Sequence, residues 1–371
     1  MKKLALTAGV LFLVACGSGA DESVPSINNG QTSDTNSDNN IAQTQTGVGG
    51  TIHLFNWGYF LYPPLVTEFE QEYGITVMIS NYNSNEMAHA RITARTDQFD
   101  VVIPSDYMIY RMINENLLRP INFANVPNYV NIDERFMALE FDPQNIYSIP
   151  YKWGTLGIVY NTGLVSSPIT SWADMWNEDY ANAIFMYNSE RDAFAVAFAK
   201  LGVSLNTTDQ DTINEARDLL IEQMPLVQAY ITDEILSLMP GGEGVMALAY
   251  SGDAINMQRM NPNLNYVVPL EGSNLWVNSL VIPYNSQNPE GAEKFINFLL
   301  RPDVAARNTN WMGFVTANEE AFNQGLIDPA LMELGGFLLS EEEYARLETF
   351  IDLGEYRDRI TQAFTEVLAS N

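Results

Sequence analysis

The sequence predicts an α/β fold with two lobes and a cleft between them. From residue 51 onward, short apolar strands alternate with amphipathic helices, which is the pattern of parallel sheets covered by helices. The segment 147–163, YSIPYKWGTLGIVYNTG, is rich in strand formers with glycine and aromatic breaks, and could cross between lobes. With 371 residues and 46% apolar content, the chain is long enough for two ordinary domains.

The first residues predict export. Lys2 and Lys3 precede an apolar run that is too short to span a bilayer and ends in LVAC at Cys16. This ending resembles the lipobox of bacterial lipoproteins, whose cysteine is lipidated and becomes the mature N-terminus. The resemblance implies a signal peptide over 1–15 and a lipid anchor at Cys16; the alternative is a buried thiol in an uncleaved helix. Residues 16–50, mostly Ser, Asn, Thr, Gln and Gly, predict a flexible tether.

The net charge of the chain disfavours some classes of binding partner. The chain carries 46 acidic and 18 basic residues, a formal net charge of −28, which argues against nucleic acid and anionic lipid as partners. The same charge favours a cationic ligand, although solubility alone explains most of it. Cys16 is the only cysteine, so an intramolecular disulfide is excluded.

The strands of the first half are expected to end at one place. The predicted elements are strand 51–55, helix 64–73 closed by Gly74, strand 75–80, strand 99–104 and helix 106–117. A strand, a short helix and a strand form a βαβ unit with parallel strands. In open parallel sheets ligands bind beyond the carboxyl ends of the strands, and the loops there are 56–62, 81–86 and 104–107.

The second half repeats the alternation of strands and helices. Its predicted elements are a helix opened by a capping box at 212–215, a buried strand 245–254 ending in Ser-Gly-Asp, a strand 275–283, and a helix from Pro289 to the stop at Arg301-Pro302. Two lobes joined by strand crossovers are the simplest assembly of these elements.

The loop 56–62 places four aromatic residues in six positions, at Trp57, Tyr59, Phe60 and Tyr62. Such rings most often pack beneath a loop as part of the core. These rings follow a strand end at which a ligand is expected, so the sequence indicates that some of them line a binding site.

Eight stretches carry a family resemblance, in matching order and spacing: FNWGYFLYP, YNSNE, FDVVIPSDY, YSIPYKWGT, SWADMW, YSGDA, LWVNSLVIP and INFLLRPDVA. From about residue 51 to 320 the chain thereby resembles the spermidine/putrescine-binding proteins of bacterial ABC transporters. The resemblance implies a two-lobed periplasmic-binding-protein fold, type II-like, in which each lobe is a mixed or parallel sheet flanked by helices. It implies a first lobe of 51–155 plus about 276–315 and a second lobe of 156–275 plus about 316–371.

The resemblance also implies a function. An extracytoplasmic, lipid-anchored monomer would close its lobes over a polyamine and deliver it to an ABC permease, with no cofactor, metal or catalysis. The implied ligand-binding positions are Trp57, Phe60, Ser105, Asp106, Tyr107, Ser189, Asp192, Tyr250, Asp253, Trp276, Asn278 and Phe314. Asp106 could instead cap the helix that follows it. Asp253, at the end of a buried strand, needs a partner and is more often functional than structural.

This chain departs from the family pattern at four of those positions. An acid is usual at 188 or 189, here Asn188 and Ser189, and another at 278, here Asn278; Phe60 and Phe314 stand where tyrosines are common. The implied site keeps its rings but is less acidic. A diamine, or a cation with one charged end, therefore fits better than a ligand with three or four amines.

Other functional classes fit parts of the sequence. The motifs of serine hydrolases, zinc proteases and phosphate loops are missing, and the resemblance argues against a surface-anchored hydrolase, although composition alone leaves a glycosidase-like acid pair open. A binding protein for another small cationic solute is the main alternative. Ferric iron or an organic anion would need tyrosine clusters or basic groups that these loops lack. His53 and His89 are isolated and predict no metal site, and Trp153 and Trp172 are predicted to pack inside the lobes.

Overall fold

Strands and helices alternate along most of the chain in a computed structural model, which describes residues 49–94 and 98–370. The strands are β1 Gly50–Trp57, β2 Ile75–Tyr82, β3 Val101–Val102, β4 Ser148–Asn161, β5 Ile184–Tyr187, β6 Val227–Ile231, β7 Met246–Tyr250, β8 Leu264–Val267, β9 Ser273–Val281, β10 Val315–Thr316 and β11 Leu347–Glu348. The helices are α1 Pro63–Tyr73, α2 Asn85–Ala94, α3 Asp106–Asn114, α4 Glu190–Leu201, α5 Gln210–Gln223, α6 Ile235–Gly241, α7 Ser251–Met260, α8 Pro289–Leu299, α9 Pro302–Met312, α10 Glu319–Asn323, α11 Pro329–Met332, α12 Glu341–Tyr344 and α13 Arg357–Leu368. The predicted signal peptide, Cys16 and the tether as far as residue 48 lie outside the described residues.

The strands form a mixed sheet in the order β2-β1-β3-β9-β4-β7-β5-β6, with β8 and β10 paired to β4 and β11 paired to β9. β1 runs parallel to β2 and β3, and β5 runs parallel to β6 and β7. β4 is antiparallel to each of its partners β7, β8, β9 and β10. The predicted α/β class, with mixed sheets flanked by helices, is confirmed.

The long strand β4 links the two halves of the sheet. Its residues 148–155 pair with β9, and its residues 156–160 pair with β7. The register shifts between Pro150 and Lys152, which marks a bulge at Tyr151. The strand-rich segment 147–163 therefore crosses between the halves, and every residue of β4 is buried.

Separate clusters of buried apolar side chains flank the two halves. The first core is built on β1, β3 and the helices α1, α3, α8 and α9, where the rings of Phe69 and Phe295 meet edge to face at 4.9 Å. The second core is built on α4, α5 and α13, where Phe194 and Phe364 are buried, and a smaller cluster surrounds Met257. The lobe boundaries given by the resemblance stay a prediction.

The two tryptophans predicted to pack inside the protein do so. Trp153 is 6% exposed in the first core, and its indole N–H donates to Thr316 O at 3.2 Å. Trp172 is 1% exposed in the second core and donates to Gly272 O at 2.8 Å. Both buried indole N–H groups therefore have a hydrogen-bond acceptor, as is usual for tryptophans in protein cores.

Several predicted boundaries are accurate. Helix α1 begins at Pro63, one residue before the prediction, buries Leu65 and Phe69, and ends at Gly74, which takes the left-handed conformation with φ 65°. Helix α8 begins at Pro289 as predicted. The strand predicted at 99–104 is shorter, Val101–Val102, and the helix predicted at 106–117 ends at Asn114.

Two predictions for the second half are wrong. The Ser-Gly-Asp sequence does not end a strand: β7 stops at Tyr250, where its ladder with β4 ends, and Ser251 opens helix α7. The Oγ of Ser251 then accepts the Thr155 N–H at 3.1 Å, replacing a ladder hydrogen bond.

The capping box at 212–215 does not open helix α5. The helix begins at Gln210, because the carboxylate of Asp209 accepts both the N–H and the hydroxyl of Thr212, at 2.9 and 2.7 Å.

Candidate functional site

A cavity of about 1270 Å³ lies where the carboxyl ends of β1, β2 and β3 meet elements of the second core. The three loops predicted to surround a ligand all contribute to its wall. All twelve positions implied by the family resemblance line it: Trp57, Phe60, Ser105, Asp106, Tyr107, Ser189, Asp192, Tyr250, Asp253, Trp276, Asn278 and Phe314. Their contact with a ligand stays a prediction.

The rings of Trp57 and Tyr82 are held by one backbone carbonyl. The Trp57 indole N–H and the Tyr82 hydroxyl both donate to Ile103 O, at 2.8 and 2.7 Å. Their ring centroids are 4.5 Å apart. Because Ile103 directly follows β3, the end of that strand fixes the orientation of both rings, and Trp57 stays half-buried at the cavity wall.

Phe314 joins two other rings of the wall. Its ring centroid lies 5.3 Å from that of Phe60 and 5.8 Å from that of Trp276. Trp276 can lie close to β4 only because its cross-strand partner is a glycine: a Cβ on Gly154 would stand 2.5 Å from Cζ2 of the indole. This group of rings offers faces to a cation or to methylene groups.

Asp106 is a buried acid that the backbone holds on both sides. Its two carboxylate oxygens accept the N–H of Tyr107 at 2.7 Å and the N–H of Val277 at 3.3 Å. Burial raises the pKa of Asp106 to about 7, against the lowering effect of these hydrogen bonds. Ser105 is the N-cap residue of α3, so Asp106 connects the first turn of the helix to β9 rather than capping the helix.

Asp192 is also buried, but only one of its two carboxylate oxygens has a donor among the described residues. Its Oδ2 accepts the Tyr250 hydroxyl at 2.8 Å, whereas its buried Oδ1 has no hydrogen-bond partner among the described residues. Burial raises its pKa, against the lowering effects of the neighbouring Ser189 side chain, the Tyr250 hydroxyl and the charge of Arg191. A carboxylate oxygen left without a donor is costly, so this position favours an added cation.

Asp253 lies in the first turn of α7 and is half-buried at the cavity wall. Burial and the charge of Asp233 raise its pKa to about 7, and within the described part of the chain no hydrogen bond offsets this rise. Helix α7 carries Asp253 to the cavity in place of the predicted strand end. An ammonium group at this carboxylate would satisfy it and restore its ionised form.

A chain of neutral side chains forms another part of the wall. The Ser105 hydroxyl donates to Asn278 Oδ1 at 2.8 Å, and Asn85 Nδ2 donates to the hydroxyls of Ser105 and Tyr107 at 3.1 and 3.0 Å. The Tyr107 hydroxyl donates to Glu86 at 3.1 Å. Asn278 therefore presents a neutral amide that already accepts one hydrogen bond.

Sequence reasoning missed several residues of the wall. Asn85 and Glu86 belong to the loop 81–86, so the strand-end argument contained a signal for them. Arg191 directly precedes the predicted Asp192, but the contact of its guanidinium with the Phe350 ring, 4.3 Å from the ring centroid, had no local signal because the two residues are far apart in sequence. Its Nη2 donates to Asn206 Oδ1 at 2.9 Å.

In residues 49–94 and 98–370 no group of three or more histidine, cysteine or acidic residues is placed to hold a metal ion. His89 is instead paired with Glu115, at 2.6 Å. None of the helices in 49–94 and 98–370 combines the length and hydropathy needed to cross a bilayer.

Comparison with known proteins assigns the chain to a family. Residues 64–332 match the family described as bacterial extracellular solute-binding protein. The chain is also 37% identical to the spermidine/putrescine-binding periplasmic protein of Salmonella typhimurium over 270 residues, 72% of this chain and 78% of that protein. The chain belongs to the spermidine/putrescine-binding family of ABC transporter substrate-binding proteins. Members of this family bind solutes for transport and are not enzymes.

Solved structures from the family agree with this assignment. A spermidine/putrescine ABC transporter protein from Listeria monocytogenes is 37% identical, with a TM-score of 0.81 over 86% of this chain and 99% of that one. The TpPotD lipoprotein of Treponema pallidum is 26% identical, with a TM-score of 0.77 over 85% of this chain and 99% of that one. The two-lobed fold of these binding proteins is thus the fold of this chain.

Proposed function

We propose that this protein is a lipid-anchored, monomeric, extracytoplasmic binding protein that captures a polyamine and delivers it to an ABC importer. The observation that carries this proposal is the pair of under-satisfied acids in one aromatic cavity. Among the residues that the structure describes, one oxygen of Asp192 has no donor, and no hydrogen bond offsets the raised pKa of Asp253. An ammonium group supplies both the missing donors and the opposite charge.

The rings of the wall suit the remainder of such a ligand. Trp57, Trp276 and Phe314 provide apolar faces for methylene groups, and an ammonium gains roughly 0.5–2 kcal/mol over such a face. The Salmonella relative is named for spermidine and putrescine, which are chains of methylenes between amines. The aromatic and acidic lining supports the same class of ligand here.

Within that class, a short diamine fits the distribution of charge best. Asp192 and Asp253 can each receive one ammonium group. Ser189 and Asn278, where family members usually carry acids, are neutral, and Asn278 already accepts a hydrogen bond from Ser105. We therefore propose putrescine, or a diamine of similar length, as the preferred ligand.

The lipid anchor is proposed from the LVAC sequence ending at Cys16. A related protein, TpPotD of Treponema pallidum, is named a lipoprotein. A Cys16→Ser variant should leave the membrane fraction or remain unprocessed. Mature protein that stays membrane-bound without Cys16 would show that the anchor lies elsewhere.

Calorimetry with purified protein tests the ligand directly. Putrescine, cadaverine, spermidine, spermine and choline would be titrated, and each would be screened for a rise in melting temperature, since a ligand of the folded state raises it by mass action. Putrescine or cadaverine should bind most tightly and remain chemically unchanged. Binding of choline alone would favour another cationic solute, and turnover of any ligand would favour a hydrolase.

A further inference from the structure

Asn85, Ser105 and Asn278 form a chain of hydrogen bonds whose direction is fixed at one end. The backbone N–H of Ser105 donates to Asn85 Oδ1 at 3.2 Å. Because a backbone N–H can only donate, this contact identifies the amide oxygen of Asn85 and leaves Nδ2 to donate to the Ser105 hydroxyl at 3.1 Å. The Ser105 hydroxyl accepts there, so its own O–H donates to Asn278 Oδ1 at 2.8 Å.

A second branch of the chain agrees with this direction. Asn85 Nδ2 also donates to the Tyr107 hydroxyl at 3.0 Å, and that hydroxyl donates to Glu86 Oε1 at 3.1 Å. The branch thus ends at a carboxylate, which accepts hydrogen bonds. Exchanging the oxygen and nitrogen of the Asn278 amide would deprive the Ser105 O–H of its acceptor. The orientation of Asn278 therefore follows from the contacts around it.

The chain determines which atom Asn278 offers to the cavity that it lines. Oδ1 is committed to Ser105, so the remaining polar atom is Nδ2, a donor that contacts no acceptor among the described residues. A second donor lies two residues earlier on β9. Trp276 also lines the cavity and is 8% exposed, and its buried indole N–H has no acceptor in the described part of the chain. Side chains two apart on a strand share a face, so β9 presents two unpartnered donors on one side.

These donors select an oxygen acceptor in the ligand. An ammonium group has donors only, so beside Asn278 it would lose hydration without gaining a hydrogen bond. A carboxylate could accept, but the acids Asp106 and Asp192 in the same wall would repel it. A neutral carbonyl oxygen accepts without that repulsion.

We propose that the Asn278 part of the cavity is a subsite for an amide carbonyl oxygen, so that a third group on a diamine ligand is accepted there as an acyl amide and rejected as an ammonium. This inference rests on the proposed polyamine function and deepens it. Asp192 and Asp253 receive the two ammonium groups of a diamine unit, and Asn278 receives the carbonyl of an N-acyl arm. The cavity, about 1270 Å³, has room for such a monoacylated triamine.

The substitution of the usual acid at position 278 has a chemical consequence in this subsite. An aspartate could accept the Ser105 hydroxyl with one oxygen and an ammonium group with the other. Asparagine keeps the contact with Ser105 and reverses the other one, because its remaining polar atom donates. A change of one atom thereby replaces selection for a third ammonium by selection for a carbonyl.

Calorimetry on the full chain with three ligands tests the proposal. The first ligand is spermidine, and the second is acetylspermidine, with the acetyl group on the three-carbon arm so that two ammonium groups remain at the putrescine spacing. The third is hexylputrescine, which matches acetylspermidine in length and charge but has no carbonyl. The proteins are wild type, Asn278→Asp, Ser105→Ala, and the control Asn83→Asp, which adds the same charge at an exposed position of the cavity wall.

The expected results are ratios of affinities. Wild type should bind acetylspermidine about tenfold more tightly than spermidine, on the scale of one hydrogen bond gained and one unpaired donor avoided. Asn278→Asp should reverse this order and should lower acetylspermidine affinity about tenfold relative to hexylputrescine, since both of these ligands carry two charges. Asn83→Asp should keep the wild-type order of ligands.

Ser105→Ala tests the positioning of Asn278 rather than its chemistry. The Ser105 side chain makes no capping hydrogen bond to helix α3, so the helix should still begin at the same place. Without the hydroxyl, Asn278 is free to present either end of its amide. The preference for acetylspermidine over spermidine should therefore shrink toward equality, a change that a loss of stability alone does not produce.

Other outcomes overturn the inference. Wild type that binds spermidine at least as tightly as acetylspermidine would show that no carbonyl subsite exists, and this comparison needs no variant to fold. An unchanged acetylspermidine-to-hexylputrescine ratio in Asn278→Asp would exclude Asn278 as the carbonyl contact while leaving polyamine binding intact. Failure of every amine, putrescine included, to bind wild type would instead overturn the proposed function itself.

Discussion

Asp106 and Asp192 are both buried acids with raised pKa values in the wall of one cavity, yet their surroundings differ. Asp106, on α3, has a backbone N–H at each carboxylate oxygen, from Tyr107 and Val277. Asp192, on α4, has one oxygen satisfied by Tyr250 and one with no partner among the described residues. Asp106 therefore connects a helix to a strand, whereas Asp192 has a carboxylate oxygen that can accept a hydrogen bond from a ligand.

The comparison shows which property separates a structural acid from a binding acid. Burial does not distinguish the two acids, because Asp106 and Asp192 are 1% and 3% exposed. The direction of the pKa shift does not distinguish them either, because burial raises the pKa of both and is the largest cause in each. The number of donors already committed to the carboxylate does separate them, and it can be read only from the folded structure.

Replacing Asp192 should produce the largest loss of binding. In Asp192→Asn the amide oxygen can still accept the Tyr250 hydroxyl, so the fold should persist, but the charge that receives an ammonium is lost. Putrescine binding should weaken by about 2–4 kcal/mol in calorimetry. A change below tenfold in affinity, together with a lowered melting temperature, would return Asp192 to a structural role.

Replacing Asp106 should affect stability rather than affinity. An amide at this position offers one acceptor oxygen, so Asp106→Asn leaves either the Tyr107 or the Val277 N–H without a partner. The free energy of unfolding should fall by about 1–3 kcal/mol in urea denaturation, while putrescine affinity changes less than in Asp192→Asn. If instead affinity collapses and stability holds, Asp106 is the ligand-binding acid.

The ring of Trp57 should contribute a smaller share of the binding energy. Removing it in Trp57→Ala should weaken putrescine binding by about 1–3 kcal/mol. Tyr59, on the same loop and 91% exposed, supplies the matched control, and Tyr59→Ala should bind nearly as wild type does. Equal affinity of both variants and wild type would mean that Trp57 serves packing against Tyr82 alone.

Lowering the pH should weaken putrescine binding, because it protonates the carboxylate of Asp253. Its pKa of about 7 in the free protein means that the carboxylate is protonated below neutrality, whereas an ammonium beside it favours the ionised form. Proton release therefore accompanies binding, and putrescine affinity should fall by roughly tenfold from pH 7.5 to pH 6. Asp253→Asn should flatten this profile. A profile that stays steep in the variant would assign the titration to another group.

The location of the cavity could be predicted from sequence because it depends on local patterns. The apolar runs before residues 56, 81 and 104 mark strand ends, and parallel strands bring those ends together. Trp57 and Asp253 reach the same cavity for that reason, although Asp253 does so from a helix. The start of that helix depends on where the β4 ladder stops, which is a property of the assembled sheet and not of the Ser-Gly-Asp sequence.

The features that the sequence did not predict are long-range. No local pattern indicates that Lys152 is buried with no acidic partner among the described residues, because its partners Thr309 and Phe314 belong to a distant part of the chain. The stacking of Arg191 on Phe350 has the same origin. Contacts of this kind arise only when segments far apart in sequence pack together.

The first core also has a consequence for how the chain folds during synthesis. It packs Phe55, near the start of the described chain, in one cluster with residues as late as Phe337. The N-terminal half therefore cannot complete its core when it leaves the ribosome, and such non-local closure is slow. A chain that folds late in this way can still pass through a narrow channel in the unfolded state. This property suits a protein whose first residues predict export.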